Sequence, residues 1–351
     1  MNLLICEFVF ILLTSFNAQF VQQDNILKSV LPFPLGAAVK ADRLNRDAGY
    51  RNLLSREFNS ITPENAMKFK TLHPTQQGYK WKDADQLVDF ALKNNMRVHG
   101  HTLNWAKDKT YPAWLVNFKG DSAAWEGLLK DHIQTVVRHF KGKVASWDVV
   151  NEAIDEKGKF KNTFWVKKLG VEYIARCFQY AHEADPDALL FYNDYGHEYG
   201  GKKLAAILSL VQELKKRKIP IHGLGMQMHT NVRISGKKIQ EAIRAVAATG
   251  LKVHLSELEV SVKYRMQASF VMTEELSDLQ AQRYALIFKA YLSIPQSQQF
   301  GITTWNASDA DSFRNAEIKN HDHPLLFDNN YLPKPAYKAV LTAILDKNKK
   351  L

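Results

Sequence analysis

The chain has 351 residues, 46% of them hydrophobic, 24% charged and 11% aromatic, and a formal net charge of +11. This composition excludes a disordered or low-complexity chain, and the length allows a large core without disulfide staples. The basic balance alone does not mark a nucleic-acid binder. No RNA- or DNA-binding motif occurs, and the densest run, Lys215-Lys216-Arg217-Lys218, closes a helical pattern where cations complement the helix dipole. An acidic polysaccharide suits the charge equally well, so no nucleic-acid partner is expected.

In chain order, the first feature is an apolar run over residues 3–13, followed by Thr14-Ser15-Phe16-Asn17-Ala18. It is too short to span a bilayer and reads as the core of a signal peptide over residues 1–18, although no Lys or Arg precedes it. The expectation is an exported chain, secreted or periplasmic, with a mature part over 19–351 and no membrane association after removal of the leader. Cys6 would leave with the leader, and Cys177 alone cannot form an internal disulfide, which makes it packing.

Beyond the leader, one pattern recurs: a short apolar or β-branched run, a polar tip, then an amphipathic segment. Strands are predicted over residues 33–39, 58–62, 97–103, 145–150, 188–192, 222–228, 252–258 and 301–305. Helical spacing fills the intervals at 83–95, 121–140, 171–184, 201–218, 237–249 and 276–292; in the first, Leu87, Val88, Ala91 and Leu92 share a face. Near-continuous apolar strands separated by single helices are parallel and buried on both faces. Eight such units with no linker between them predict an α/β fold, a single (β/α)8 barrel. A doubly wound nucleotide-binding sheet would need a Gly-rich phosphate fingerprint after the first strand, and none is present. Gly223-Leu224-Gly225, inside a strand pattern, reads as close packing.

In such a barrel the chemistry gathers at the carboxyl ends of the strands. Those ends carry Glu64, Asn65 and Lys68; His101, Asn104 and Trp105; Trp147 to Glu152; Asn193-Asp194-Tyr195; Gln227 and His229; Ser256-Glu257; and Trp305. Two carboxylates after long apolar strands, Glu152 and Glu257, among aromatic and amide side chains, fit glycosidic cleavage. One carboxylic acid protonates the leaving oxygen while another carboxylate attacks or activates water. Singly, either Glu reads equally well as a loop residue, and Trp147 reads as core. His99 with His101, His321 with His323, and Asp309 with Asp311 lack Cys partners or an H-E-x-x-H pattern, so neither a metal nor another cofactor is expected. A Ser-His-Asp hydrolase would need a G-x-S-x-G elbow, which is absent.

At these motifs the chain resembles glycoside hydrolase family 10, the β-1,4-xylanases, over roughly residues 30–340. The matching segments, in order, are Thr62-Pro63-Glu64-Asn65-Ala66-Met67-Lys68, Gly100-His101-Thr102-Leu103-Asn104-Trp105, Trp147 to Glu152, Asn193-Asp194-Tyr195, Gly225-Met226-Gln227-Met228-His229, Leu255-Ser256-Glu257 and Thr303-Thr304-Trp305. The resemblance implies a retaining endo-β-1,4-xylanase acting on β-1,4-xylan or a related plant-type polysaccharide, and a monomer is expected. It makes Glu152 the general acid/base and Glu257 the nucleophile, with Asn151 on the sugar 2-hydroxyl and His229 orienting Glu257. Gln227 and His101 would line the same subsite, Glu64, Asn65, Lys68 and Trp105 the glycone side, and Trp305 an aromatic wall. Glu152 is then expected to keep a raised pKa through burial and like-charge proximity while Glu257 stays ionised.

The chain departs from the family pattern where Ala106, Lys107 and Asp108 follow Trp105 in place of His, one residue and Gln. Asn306 stands for a usual Gly, Phe313 for a second Trp, and Gly196 for a common Asn. Asp108 is thus expected to bring a carboxylate into the glycone site. The competing readings are a retaining glycosidase for another β-linked or decorated glycan, and a non-catalytic polysaccharide-binding barrel.

Overall fold

Short strands that are apolar on both faces need cover on both faces, and the chain supplies it by closing the sheet on itself inside a ring of helices. The computed structural model describes residues 26–263, 270–316 and 322–348; the expected leader and His321 lie outside the described residues. Its strands are β1 (Leu35–Val39), β2 (Ser60–Pro63), β3 (Arg97–Trp105), β4 (Ser146–Asn151), β5 (Leu189–Asp194), β6 (Gly223–Met226), β7 (His229–Asn231), β8 (Lys252–Ser261) and β9 (Gln299–Thr304). All neighbours pair in parallel. Leu35 to Ala37 of β1 lie beside Ile302 to Thr304 of β9, and β6 pairs with β8, so eight strands form a closed barrel. Every residue of β1, β2, β4 and β6 is buried.

The outer ring is α1 (Ala48–Glu57), α2 (Lys82–Lys93), α3 (Ser122–His139), α4 (Tyr173–Ala184), α5 (Gly201–Lys216), α6 (Gly236–Ala247), α7 (Glu274–Leu292) and α8 (Pro335–Asn348). Three of them, α1, α3 and α7, begin at a capping side chain, and Asp47 caps α1 by accepting from the Tyr50 amide at 2.9 Å. Asp121 caps α3 by accepting from the Ala124 amide at 2.9 Å, and Thr273 caps α7 by accepting from Leu276. In α2, Ala84, Leu87, Val88 and Ala91 face the barrel, whereas Leu92 is half-exposed at the stripe's edge. Cys177 is buried in α4, as expected of a packing residue.

The expected sixth strand, 222–228, forms only over Gly223–Met226, and a separate short strand follows it. β6 ends at Met226, Met228 adopts a left-handed backbone with φ +62°, and the chain resumes as β7 beside the outer end of β8. The kink turns Gln227 and His229 into the barrel mouth. β3 runs two residues past its expected end, to Trp105, and β8 runs to Ser261.

On both faces of the barrel wall, glycine makes room for larger neighbours. A side-chain carbon on Gly223 would stand 2.0 Å from the Phe191 ring, which confirms the close packing read from the sequence. Gly100 lies against Trp147, which is 1% exposed and packs at 6.0 Å on Phe140, so Trp147 belongs to the core. A methyl group at position 100 would fall 2.2 Å from that indole. Gly100→Ala is therefore expected to overpack the barrel and cost about 1–3 kcal/mol in urea unfolding, with little change in the far-UV spectrum.

Candidate active site

All eleven candidate site residues line one cavity of about 470 Å³ at the carboxyl ends of the strands. β2 leads into Glu64, Asn65 and Lys68; β3 carries His101 and Trp105; β4 ends in Asn151 and hands the chain to Glu152. Gln227 and His229 come from the kink between β6 and β7, Glu257 from β8, and Trp305 follows β9. At Glu152 the backbone turns left-handed, φ +61°, immediately after the strand. Its amide donates to the Asn193 carbonyl at 2.8 Å, which fixes that turn against β5.

Glu257 is held from two sides. Its Oε1 accepts from Asn193 Nδ2 at 2.9 Å and its Oε2 pairs with His229 Nε2 at 3.0 Å. The other nitrogen of His229 pairs with Glu259 at 2.9 Å, and Arg314 Nε donates to the same Glu259 oxygen at 2.8 Å. Burial pushes the His229 imidazole down, but the flanking carboxylates Glu259 and Glu257 outweigh it and raise it to about 10. His229 is thus an imidazolium that donates from both nitrogens and fixes the Glu257 carboxylate.

Glu152 has different company. Gln227 Nε2 donates to its Oε1 at 3.2 Å, and Lys161 Nζ approaches its Oε2 at 3.4 Å. Burial, the largest single influence, pushes this carboxyl up, yet Lys161, the Trp105 indole, Gln227 and Lys107 together hold it below the usual value. The raised pKa expected from the sequence is therefore not found in the free site. Lys161 lies nine residues beyond Glu152 in a loop, where spacing gave no sign that it returns to the carboxylate.

The two carboxylates are joined by amides. Asn193 Nδ2 also donates to Asn151 Oδ1 at 3.0 Å, and Gln227 Nε2 donates to that oxygen at 3.3 Å. A continuous path thus runs from Glu257 through Asn193, Asn151 and Gln227 to Glu152. Asn193, quoted in a sequence motif but given no role there, is its centre; the strand-end position on β5 was the signal available for it.

Elsewhere in the cavity, Asn65 Nδ2 donates to Glu64 Oε1 at 3.0 Å and Lys68 Nζ donates to Asn65 Oδ1 at 2.9 Å. Lys68 also lies over the Trp105 and Trp305 rings, at 5.0 and 5.8 Å. Asn306, the residue found where glycine is usual, has a left-handed backbone with φ +91° and donates its side-chain amide to Glu64 Oε2. Burial raises the Glu64 carboxyl, partly offset by Lys40. His101 Nδ1 pairs with Asp148 at 2.8 Å, and His99 Nε2 lies 3.0 Å from the other Asp148 oxygen. These two histidines are thus committed to a carboxylate. Asp309 is likewise committed to Lys334, at 2.9 Å.

Asp108 does not enter the cavity. It opens a short turn and accepts from the Phe164 amide at 3.1 Å, while Lys107 and Ala106 face the site in its place. Position relative to Trp105 was legible, but the direction of the side chain was not. Phe313 does line the cavity, with its ring 5.6 Å from His229.

The sequence profile of glycosyl hydrolase family 10 matches residues 24–343, and the chain belongs to that family. It is 36% identical over 301 residues to endo-1,4-beta-xylanase B of Thermotoga neapolitana, covering 86% of this chain and 84% of that protein. A beta-1,4-xylanase of Dictyoglomus thermophilum is 39% identical, with 87% and 86% covered. The chain spans only 28% of the longer endo-1,4-beta-xylanase A of Thermoanaerobacterium saccharolyticum. Among solved structures, xylanase 10B of Thermotoga petrophila in complex with xylobiose superposes with a TM-score of 0.86 at 35% identity, covering 93% of this chain and 98% of that one.

The His229 triad makes a pH prediction. A histidine raised from the usual value to about 10 contributes stability that is fully present below about pH 6.5 and is lost as pH rises through about 10. The unfolding free energy of the wild type should therefore fall more steeply between pH 7 and 10 than that of His229→Gln. Parallel slopes in denaturant titrations would remove the imidazolium assignment.

Proposed function

We infer that the protein is a retaining endo-β-1,4-xylanase that hydrolyses internal xylosidic bonds of xylan by double displacement. The observation that carries this reading is the pair of buried carboxylates in different surroundings, Glu152 at 8% and Glu257 at 4% exposure, tied through one path of amides. Relatives at 36% and 39% identity named as xylanases support the substrate.

In the proposed reaction, Glu257 is the nucleophile and attacks the anomeric carbon, while Glu152 delivers a proton to the departing glycosidic oxygen. His229 and Asn193 each hold one oxygen of Glu257, which aims the carboxylate. With its Oδ1 engaged by two donors, Asn151 has its Nδ2 to offer the sugar 2-hydroxyl, a contact that strengthens as the oxocarbenium-like state forms. Gln227 and His101 line the same subsite, Glu64, Asn65, Lys68 and Trp105 bind glycone hydroxyls and faces, and Trp305 walls them in. In the second step water attacks the anomeric carbon, Glu152 takes its proton, and Glu257 is released as a carboxylate. No cofactor enters.

The enzyme works as a monomer on this reading, because the whole constellation lies within one chain. Export rests on the leader-like residues 1–18. Among the described residues no helix is long and apolar enough to cross a membrane.

Glu257→Ala is expected to abolish hydrolysis of xylan and of activated aryl β-xylobiosides alike. Glu152→Ala should lose xylan cleavage by roughly 10²–10⁴-fold but still form the covalent intermediate from substrates whose leaving group needs no proton. Equal loss of both substrate classes in both variants would contradict the separate roles. Assays on xylan beside β-glucan test the substrate assignment.

A further inference from the structure

The retaining reading leaves a demand that Glu152 meets twice and oppositely. It must hold a proton when the leaving sugar departs and be ionised when water arrives. We propose that Lys161 is a positioning residue for the second step: its ammonium, seated on Glu152 in the cavity wall, keeps that carboxylate ready to act as base on the incoming water. The proposal rests on the double-displacement reading above.

The placement of Lys161 is built into its loop. Its backbone amide donates to the Ala153 carbonyl at 2.9 Å, and Asp155 and Lys159 close the intervening turn through a 2.8 Å bond. Its Nζ then reaches Glu152 Oε2 at 3.4 Å and lies 5.0 Å from the centre of the Tyr195 ring, with the side chain only 21% exposed. Gln227 occupies the opposite oxygen of Glu152, so both oxygens are held by donors that favour the ionised form.

The other charged and titratable neighbours come from each element around Glu152. Lys107 follows β3 and acts through space, its Nζ resting 4.8 Å from the Trp105 ring centre. Asp194, at the end of β5, is paired with Lys203 at 3.0 Å, and Tyr195 follows it. Glu257, on β8, shares the cavity and is matched by His229. Asp194 and Glu257 thus each have their own cation, Glu156 accepts from the Tyr195 hydroxyl and feels Lys161 only through space, and Lys161 is the cation in contact with Glu152. The net result is a Glu152 carboxyl below its ordinary value.

In the step concerned, the water oxygen bonds to the anomeric carbon and the ester bond to Glu257 breaks with its electron pair going to that carboxylate. The water proton goes to Glu152. Removing the ammonium should slow this step and leave the acid-independent first step in place.

The test uses the full chain, with Lys161→Met and Lys161→Arg, and a dinitrophenyl β-xylobioside whose leaving group needs no proton. In Lys161→Met, kcat should fall about tenfold and KM should fall with it, so that kcat/KM changes by less than about twofold. Azide, a nucleophile that needs no base, should restore kcat. On unactivated xylo-oligosaccharides, the high-pH limb of kcat/KM should move to higher pH, because Glu152 without its cation keeps its proton longer. Lys161→Arg should behave like the wild type. A parallel fall of kcat and kcat/KM on the aryl substrate, no response to azide, or an unmoved pH limb would overturn the proposal. Inversion by the wild type would instead overturn the retaining reading, and this inference with it.

Discussion

One amide fixes the geometry of the site. Asn193 Nδ2 donates to Glu257 and to Asn151 at the same time, and Ser256 Oγ donates to Asn193 Oδ1 at 2.6 Å, so the amide has a single satisfied orientation. Room for it is made by the neighbouring strand: a side-chain carbon at Gly225 would stand 2.3 Å from Asn193 Oδ1. Strands β4, β5, β6 and β8 therefore contribute to one buried network, and closure of the barrel sets the relation between Glu152 and Glu257.

Around that fixed frame the charges are unequal. Glu257 faces an imidazolium that is itself locked by Glu259 and Arg314, so its hydrogen-bond partner cannot easily turn away. Glu152 faces a lysine on a loop, a longer and less constrained donor. A rigid cation suits a group that must stay a carboxylate until it attacks, and a yielding one suits a group that alternates between acid and base. Below both, Asp148 is held well below the usual carboxylate range: burial alone would raise it, but His99 and His101 outweigh burial, and this fixes the orientation of His101.

The barrel was legible in the sequence because its cause is repetitive. Apolar strands and single amphipathic helices alternate with no linker, and the fold rule then puts the strand ends on one face. That rule brought together all eleven candidate residues, from Glu64 to Trp305. What lay beyond it was side-chain direction and loop return. Asp108 occupies a position next to the site but turns to the Phe164 amide, and Lys161 comes back to Glu152 only through the turn over 155–159. The lowered Glu152 carboxyl follows from that same loop, since burial at a strand end by itself pushes the other way. Asn306 gave no sign that its amide would seat Glu64, because the departure from glycine is legible as a difference but not as a contact.

The central claim is that Glu257 becomes covalently bonded to the sugar. Incubation with a fluorinated xylobioside carrying a good leaving group, followed by digestion and mass spectrometry, tests it directly. The account predicts one adduct per chain, on the peptide that contains Glu257, with loss of activity in step with labelling. An adduct on another carboxylate, or rapid turnover to a product of inverted anomeric configuration with no adduct at all, would contradict it.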